Sequence, residues 1–319
     1  FPRSFNKVLE VTMNNVLPRN NAATKKSRLA IQQNRNGILF ILPAFILYGF
    51  FFIVPFFQSI HISLTDWNGV NPQKTFIGIQ NYAQLIKDSL MWKSLGHNFI
   101  WVIVGTISPV AIGLLLAILL SGKNLKGRTF FRTVYFMPVM LSPVVVGIIW
   151  GWVYNPIYGM LNKILDTVGL ENLSRGWLGD PKLALYMVLI TAIWSYFGFC
   201  LVILMAGMQN IDAELYDAAN IDGANSYQQF INVTLPQLGS VLTMIIAYTL
   251  IGGLNVFDIV YIMTSGGPAN STELIATYTY KQSFQLNSVG YGAALSMVMT
   301  LLSLVASALF MKLRSKVEK

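Results

Sequence analysis

Six long stretches contain almost no charged side chain, and this pattern constrains the fold more than any other feature. They lie at 37–60, 99–120, 134–154, 183–208, 241–263 and 289–311. A helix needs about 20 apolar residues to cross the hydrocarbon core of a bilayer. The chain is 54% hydrophobic and 11% charged, whereas soluble domains carry about 25% charged residues. The sequence therefore predicts an all-α membrane protein with six transmembrane helices, and it excludes a soluble globule.

The distribution of Lys and Arg predicts that both termini are cytoplasmic. With the N-terminus inside, the cytoplasmic segments hold 15 of the 22 basic residues, and basic residues favour that side. We expect a basic tail at 1–36, a transmembrane domain at 37–313 and a short basic tail at 314–319. No cleavable signal peptide is expected, because 36 polar and basic residues precede the first apolar run. The basic N-terminal tail would also attract anionic lipid headgroups.

Several kinds of site are not expected in this chain. The net charge of +9 does not indicate nucleic-acid binding, because the chain lacks a broad polar surface. Cys200 is the single cysteine and lies in an apolar run, which favours a packing role. His61 and His97 have no other ligand types beside them, so a metal site is not expected. No Gly-x4-Gly-Lys-Ser/Thr loop is present, so the chain is expected to bind no nucleotide or other cofactor and to be no enzyme.

The segment 210–240 departs from the charge pattern of the other cytoplasmic segments. It contains no Lys or Arg and four acids. Asp212 is expected to cap a first helix, and Gly223 permits a turn. A second helix is expected to begin at Ser226 with Gln229 completing a capping box, and to end at Leu235–Pro236. The pattern predicts a cytoplasmic loop of two short helices.

Small residues lie beside the acids of this loop. Ala218, Ala219, Gly223 and Ala224 form a face that allows close approach of another backbone. Acids around it would match a basic rim on a partner protein. Packing of the same face against the protein's own helices is the alternative.

The spacing within this loop resembles a known motif. Asp217-Ala218-Ala219, three residues, Gly223, nine residues and then Val233-Thr234-Leu235-Pro236 are similar to the EAA motif of permease subunits in binding-protein-dependent ABC importers. Asp217 and Val233 replace the usual Glu and Ile.

Further segments narrow the resemblance to carbohydrate permeases of the maltose-importer type, over about 37–311. The similar segments are Ser63-Leu64-Thr65-Asp66-Trp67, Phe76-Ile77-Gly78-Ile79-Gln80-Asn81-Tyr82, Arg132-Thr133 with Pro138 and Ser142-Pro143, Asn155 to Asn162, and Gly266-Gly267-Pro268.

The resemblance implies a role for the loop and a set of partners. In that family the loop is the coupling helix, seated in a groove of a cytoplasmic ATPase subunit. The residues carried over are Glu214, Asp217, Ala218, Ala219 and Gly223. The implied partners are two ATPase subunits that bind ATP and Mg, a second homologous permease, and an extracytoplasmic solute-binding protein. The implied location is the cytoplasmic (inner) membrane of a prokaryote.

A hydrophilic solute needs a polar path through the membrane, and two apolar runs offer one. The fourth run contains Trp194, Ser195, Tyr196 and Phe199, and the fifth contains Thr249, Gly253, Asn255 and Asp258. The resemblance adds Val256 as a sugar-contact position of the fifth run. Most of these positions also resemble sugar-contact positions of the family. Asp258 is the one ionisable residue within the six runs, which favours a cavity or a partner over lipid. Packing is the alternative for the aromatic residues, and an internal hydrogen bond is the alternative for Asp258.

These observations predict a subunit that imports a di- or oligosaccharide by alternating access. The acidic or neutral character of the sugar is left open. A self-sufficient secondary transporter or channel is the alternative, and it predicts several ionisable residues in the spans or an internal repeat. An intramembrane enzyme would need paired catalytic groups within the spans.

Overall fold

The computed structural model describes residues 39–122 and 125–317, and these residues are mostly helical. The predicted N-terminal tail, 1–36, lies outside the described residues, as do residues 318–319 of the C-terminal tail. The helices are α1 Leu39–Ser63, α2 Gln80–Lys87, α3 Ser89–Ser121, α4 Arg128–Phe136, α5 Pro143–Val153, α6 Met160–Thr167, α7 Ala184–Gln209, α8 Ala213–Ile221, α9 Ser226–Gln237, α10 Gly239–Leu254, α11 Asp258–Thr264, α12 Ile275–Tyr280 and α13 Val289–Val317.

Four of these helices are long and apolar enough to cross a membrane. They are α1, α3, α7 and α13, and they coincide with the first, second, fourth and sixth apolar runs. Two further spans arise if each of two bent helix pairs is counted as one: α4 with α5, and α9 with α10. The described residues therefore contain four to six candidate spans.

The third predicted span is divided by a sharp bend at one of its two predicted kinks. The sequence predicts a helix over 134–154 with kinks at Pro138 and Pro143. α4 continues past Pro138 as a 3-10 turn to Met140, and α5 begins at Pro143 and leaves at 101°. The residue before a proline is disfavoured in the helical region, and Ser142 is extended, with φ −60° and ψ 139°. Pro143 then begins a new helix.

The fifth predicted span, 241–263, is interrupted. α10 ends at Leu254, and α11 begins at Asp258. The Asn255 N–H closes the end of α10 by donating to the Gly252 carbonyl at 3.2 Å. The Gly252-Gly253 pair weakens the helix just before the break, since glycine is a poor helix former.

The chain divides at residue 59 into two units. In the first unit the apolar window of α1 has no buried residue, and its aromatic side chains contact one another, as in the stacked Tyr48–Phe52 pair. A helix of this length, with no buried residue in its apolar window, is suited to a lipid environment.

The core of the second unit forms around α3, which packs most extensively against α7. At their closest point a Cβ added to Gly113 would lie 2.8 Å from the Cβ of Cys200. Glycine therefore permits this approach. Cys200 is fully buried in the seam, and it is a packing residue there, as predicted.

A small β-hairpin interrupts the helical architecture, which the all-α prediction did not include. β1, Thr65–Asp66, pairs antiparallel with β2, Thr75–Phe76, with Thr65 opposite Phe76. The Asn81 amide donates to the carbonyls of Ser63 and Thr65 at 2.8 and 3.0 Å. These bonds fix the hairpin against the start of α2.

The Asp88 carboxylate joins α3, α12 and α13. It accepts from the N–H groups of Leu90 and Met91, which caps α3, and from the hydroxyls of Tyr278 and Tyr291 at 2.5 Å each. Partial burial raises the pKa of Asp88, but these hydrogen bonds outweigh burial and hold the pKa below its ordinary value of 3.8. Burial and the bond to Asp88 raise the pKa of Tyr278 to about 12.

Candidate functional site

A cavity of about 360 Å³ lies among α3, α5, α7, α10 and the start of α11. Its wall is mostly apolar, with a few polar side chains, the usual character of a small-molecule site. The lining residues are Trp101, Gly105, Pro138, Val139, Leu141, Pro143, Val146, Ala192, Ile193, Ser195, Tyr196, Thr249, Gly252, Gly253, Asn255, Val256, Phe257, Asp258 and Ile259.

Seven of the nine predicted substrate-path residues line this cavity. Helix α7 contributes two of them and the α10–α11 segment contributes five. They are Ser195, Tyr196, Thr249, Gly253, Asn255, Val256 and Asp258. The two runs that flank the loop 210–240 therefore meet at one cavity.

Trp194 and Phe199 do not line the cavity. Trp194 points into the core and contacts the Trp150 ring edge-on, with centroids 5.4 Å apart. The Phe199 ring lies 5.9 Å from the ring of Tyr196 and 5.3 Å from that of Tyr248. Neighbouring positions on a helix differ by about 100° in direction, so Trp194 and Ser195 face different surroundings. Phe199 buttresses the cavity residue Tyr196.

Two cavity residues on α3 were missing from the sequence prediction. Trp101 is 3% exposed and, with Gly105 one turn later, forms one side of the cavity. A glycine four residues after a tryptophan in an apolar run was a signal that could have identified this helix face. An added Cβ at Gly253 would lie 3.6 Å from Trp101, so the two helices are in close contact here.

The helix break places Asp258 at the cavity wall. Its side chain is exposed, and among residues 39–122 and 125–317 no hydrogen bond or ion pair to its carboxylate is present. The alternative of an internal hydrogen bond is therefore not seen in the described part of the chain. An unpaired carboxylate at a mostly apolar wall is a candidate ligand for hydroxyl groups.

The loop 210–240 forms the two predicted helices, α8 and α9. The Asp212 carboxylate accepts from the Glu214 N–H at 3.0 Å, which caps α8 as expected. Gly223 has φ +77° in the turn, a conformation that favours glycine. The Tyr216 and Thr234 hydroxyls are hydrogen-bonded at 2.9 Å, which ties α8 to α9.

Two details of the loop prediction were wrong. The capping box is formed by Asn225 and Gln228, one residue earlier than the predicted Ser226 and Gln229. Asn and Ser are similarly good caps, so the sequence did not distinguish the two registers. Pro236 does not end the helix, because α9 continues to Gln237 through a π turn and meets α10 at 67°.

The predicted coupling residues form an exposed surface. Glu214, Asp217, Ala218 and Gly223 are exposed, and Ala219 is half-buried. The apolar side chains of Ile221 and Tyr227 are 87% and 71% exposed beside them. Of the small-residue face, Ala218 and Gly223 are therefore open, whereas Ala219 and Ala224 are half-buried.

No metal-binding group was found in the described residues: no three of their His, Cys, Asp and Glu side chains come together. The Nδ1 atom of His97 lies 2.9 Å from the Glu273 carbonyl, which ties α3 to the segment before α12.

The long apolar helices, the central cavity and the exposed acidic loop define a multi-pass membrane transport subunit. Residues 109–319 match the family described as binding-protein-dependent transport system inner membrane component. The chain belongs to this family, among the permeases of carbohydrate ABC importers. It is a multi-pass inner-membrane permease.

Known relatives cover almost the whole chain. A probable ABC transporter permease protein of Bacillus subtilis, YurN, is 36% identical over 88% of this chain and 97% of its own length. The multiple sugar-binding transport system permease protein MsmF of Streptococcus mutans is 32% identical over 88% and 96%. A bacterial ABC transporter involved in the import of the acidic polysaccharide alginate has the same fold, with a TM-score of 0.81, 21% identity and 92% and 100% coverage.

Proposed function

We propose that this chain is the transmembrane subunit through which an ABC importer moves a di- or oligosaccharide into the cytoplasm. An extracytoplasmic binding protein would deliver the sugar, and ATP hydrolysis on two partner subunits would drive alternating access. One observation carries the proposal: the same two helices that line the cavity, α7 and α10, also flank the exposed loop 210–240.

The connection between cavity and loop is short and helical. Tyr196 at the cavity is followed by unbroken helix to Gln209, a distance of about 20 Å at about 1.5 Å per residue. The return through α10 from Gly239 to Thr249 spans about 15 Å. Because packed helices move as rigid elements, displacement of the loop by a partner would move two walls of the cavity.

The proposal includes six spans with both termini cytoplasmic. The bent pair α4–α5 and the apolar helix α10, to which the cytoplasmic α9 is joined, complete the count of six, and the Lys and Arg distribution supports the orientation. It also includes a companion permease and ATPase subunits seated on the exposed surface of Glu214, Asp217, Ala218, Ala219 and Gly223, with ATP and Mg held by the ATPase subunits. Ile221 and Tyr227 would add apolar contacts there.

The cavity wall favours a neutral sugar over an acidic one. Asp258 is the one side chain charged at neutral pH among the described lining residues. A sugar carboxylate bound beside Asp258 would be repelled by this like charge. Neutral hydroxyls would instead donate to the Asp258 carboxylate and bond to Ser195, Thr249 and Asn255.

The experiment is sugar-stimulated ATP hydrolysis by the complete complex, reconstituted in lipid with its binding protein. The panel pairs a disaccharide with a pentasaccharide in the malto-, cello- and chito-oligosaccharide series, and adds an alginate pentasaccharide as the anionic probe. We expect stimulation and uptake with at least one neutral series, and none with alginate.

Three results would contradict parts of this proposal. If no sugar stimulated ATP hydrolysis, carbohydrate import would be contradicted. Stimulation by alginate alone would contradict the neutral cargo. Uptake by the chain without its ATPase subunits would instead support the secondary-transporter alternative.

A further inference from the structure

Four aromatic side chains form a connected row beside the cavity. The ring of Phe257 is stacked on that of Tyr261 at 5.0 Å, and both contact Tyr280, at 5.3 and 4.9 Å. The ring of Phe284 lies 5.1 Å from that of Tyr280. We call Phe257, Tyr261, Tyr280 and Phe284 the aromatic row.

The row begins at the cavity and ends at an exposed ring. Phe257 lines the cavity next to Asp258, whereas Phe284 at the other end is 71% exposed. None of the four rings belongs to the three hydrophobic core clusters of the described residues. By contrast, Tyr278 on another face of α12 is 5% exposed and bonded to Asp88. Core packing therefore does not account for the row.

Polar residues accompany the row in sequence, unlike the apolar helix α1. Asn255 and Asp258 lie within two residues of Phe257 and line the cavity with it, and the exposed Gln285 follows Phe284. The side chains of Lys281 and Gln282 are directed elsewhere, toward Asn270 and Tyr278. A lipid-facing surface excludes polar groups such as Asn255, Asp258 and Gln285, and α1 has none at 50–57.

We propose that the aromatic row extends the sugar site outward from the cavity and binds further units of an oligosaccharide. This inference rests on the proposed function. A pyranose presents a face of C–H groups that packs on an aromatic ring, while its hydroxyls bond to polar neighbours and to tyrosine hydroxyls. The cavity of about 360 Å³ is near the lower limit of ligand sites, about 300–1,000 Å³. A longer chain would therefore protrude from the cavity onto the row.

The test compares sugar lengths in the reconstituted complex supplied with saturating sugar-loaded binding protein. The readout is the ratio of pentasaccharide to disaccharide uptake within the neutral series that stimulates the wild type. We expect Tyr280→Ala and Phe284→Ala to lower this ratio about three- to tenfold. The loss of one aromatic contact weakens binding by about this factor. Phe284→Trp is expected to retain the ratio.

Phe99→Ala is the matched control. Phe99 is 68% exposed, close to the exposure of Phe284, and it does not line the cavity. Differences in folding or expression affect both uptakes equally and cancel in the ratio of pentasaccharide to disaccharide uptake. This ratio should therefore be unchanged in Phe99→Ala. An unchanged ratio in both row variants, an equal fall in the control, or a wild type that transports the disaccharide but not the pentasaccharide would each overturn the inference. A wild type that responds to no sugar would contradict the proposed function first.

Discussion

Asp88 shows how a single carboxylate organises a polar junction between helices. It accepts hydrogen bonds from two backbone N–H groups of α3 and from the hydroxyls of Tyr278 and Tyr291. Because the folded pKa lies below the ordinary value, the ionised form stabilises the fold at neutral pH. This contribution is lost as the pH falls through the folded pKa.

We expect Asp88→Asn to lower the Tm of the detergent-solubilised complex by about 2–4 °C at neutral pH, the effect of about 1 kcal/mol in a protein of this size. Asn still caps α3, so the loss reports the charge and the bonds accepted from Tyr278 and Tyr291 rather than the cap. Thermal unfolding should be followed from about pH 7 to about pH 3, and the difference between the variants should narrow below about pH 4. A difference that stays constant over this range would show that ionisation is not the cause.

The residue types in the sequence predicted where the cavity lies, but they did not predict all of its lining residues. The residues of two apolar runs, together with the family resemblance for Val256, predicted seven lining positions, including Asp258. Trp101 was missed because a tryptophan in an apolar run is ordinary without knowledge of which helix faces it. Trp194 was wrongly predicted to line the cavity. The direction of its side chain depends on contact with Trp150, a residue distant in sequence.

At the scale of elements, the packing of α3 against α7 depends on the absence of a side chain at Gly113. The backbone N of Leu201 and the Cβ of Cys200 would each lie 2.8 Å from an added Cβ. Both are parts of a helix rather than ends of flexible side chains, so neither yields easily.

Gly113→Ala should therefore destabilise the protein by about 1–3 kcal/mol, the usual cost of overpacking. Gly96 is on the same helix with nothing within 4 Å of an added Cβ, and Gly96→Ala should stabilise it by about 0.5–1 kcal/mol. Thermal unfolding of the two variants provides the comparison. Equal effects of the two substitutions would contradict the tight seam.

A further prediction concerns the exposed loop of α8 and α9. It is about recognition of partner subunits rather than about stability. Glu214 is exposed in the first turn of α8, so reversing its charge should alter recognition far more than folding. We expect Glu214→Lys to abolish uptake and to reduce copurification of the ATPase subunits, while the amount of protein in the membrane is unchanged.

Glu171→Lys is the control for this prediction, since Glu171 is also an exposed glutamate in the first turn of a short helix on a different loop. Gly223→Asp should resemble Glu214→Lys, because it adds charge and a side chain where φ is +77°. Normal uptake in both loop variants would contradict the assignment of this loop to ATPase contact.

At the scale of the whole molecule, apolar runs predicted the elements well where helices are continuous. Four runs coincide with single long helices. Of the other two, the third was predicted with kinks and bends at Ser142, whereas the fifth was predicted as continuous and breaks at Asn255–Phe257. Hydropathy records whether a segment tolerates lipid, and it does not record whether the backbone remains helical. The hairpin of β1 and β2 was missed because its paired strands have only two residues each.

The angle between α9 and α10 has a mechanical consequence. At about 1.5 Å per residue, α9 is about 18 Å long. It joins the helix that contains Thr249 at an angle of 67°. A force directed along α9 acts mostly across the axis of α10, and so exerts a torque on it instead of sliding it lengthwise. A straight helix would transmit the same force as a piston stroke. The bend would thus turn a push along α9 into a rotation of the helix that contributes Thr249 to the cavity wall.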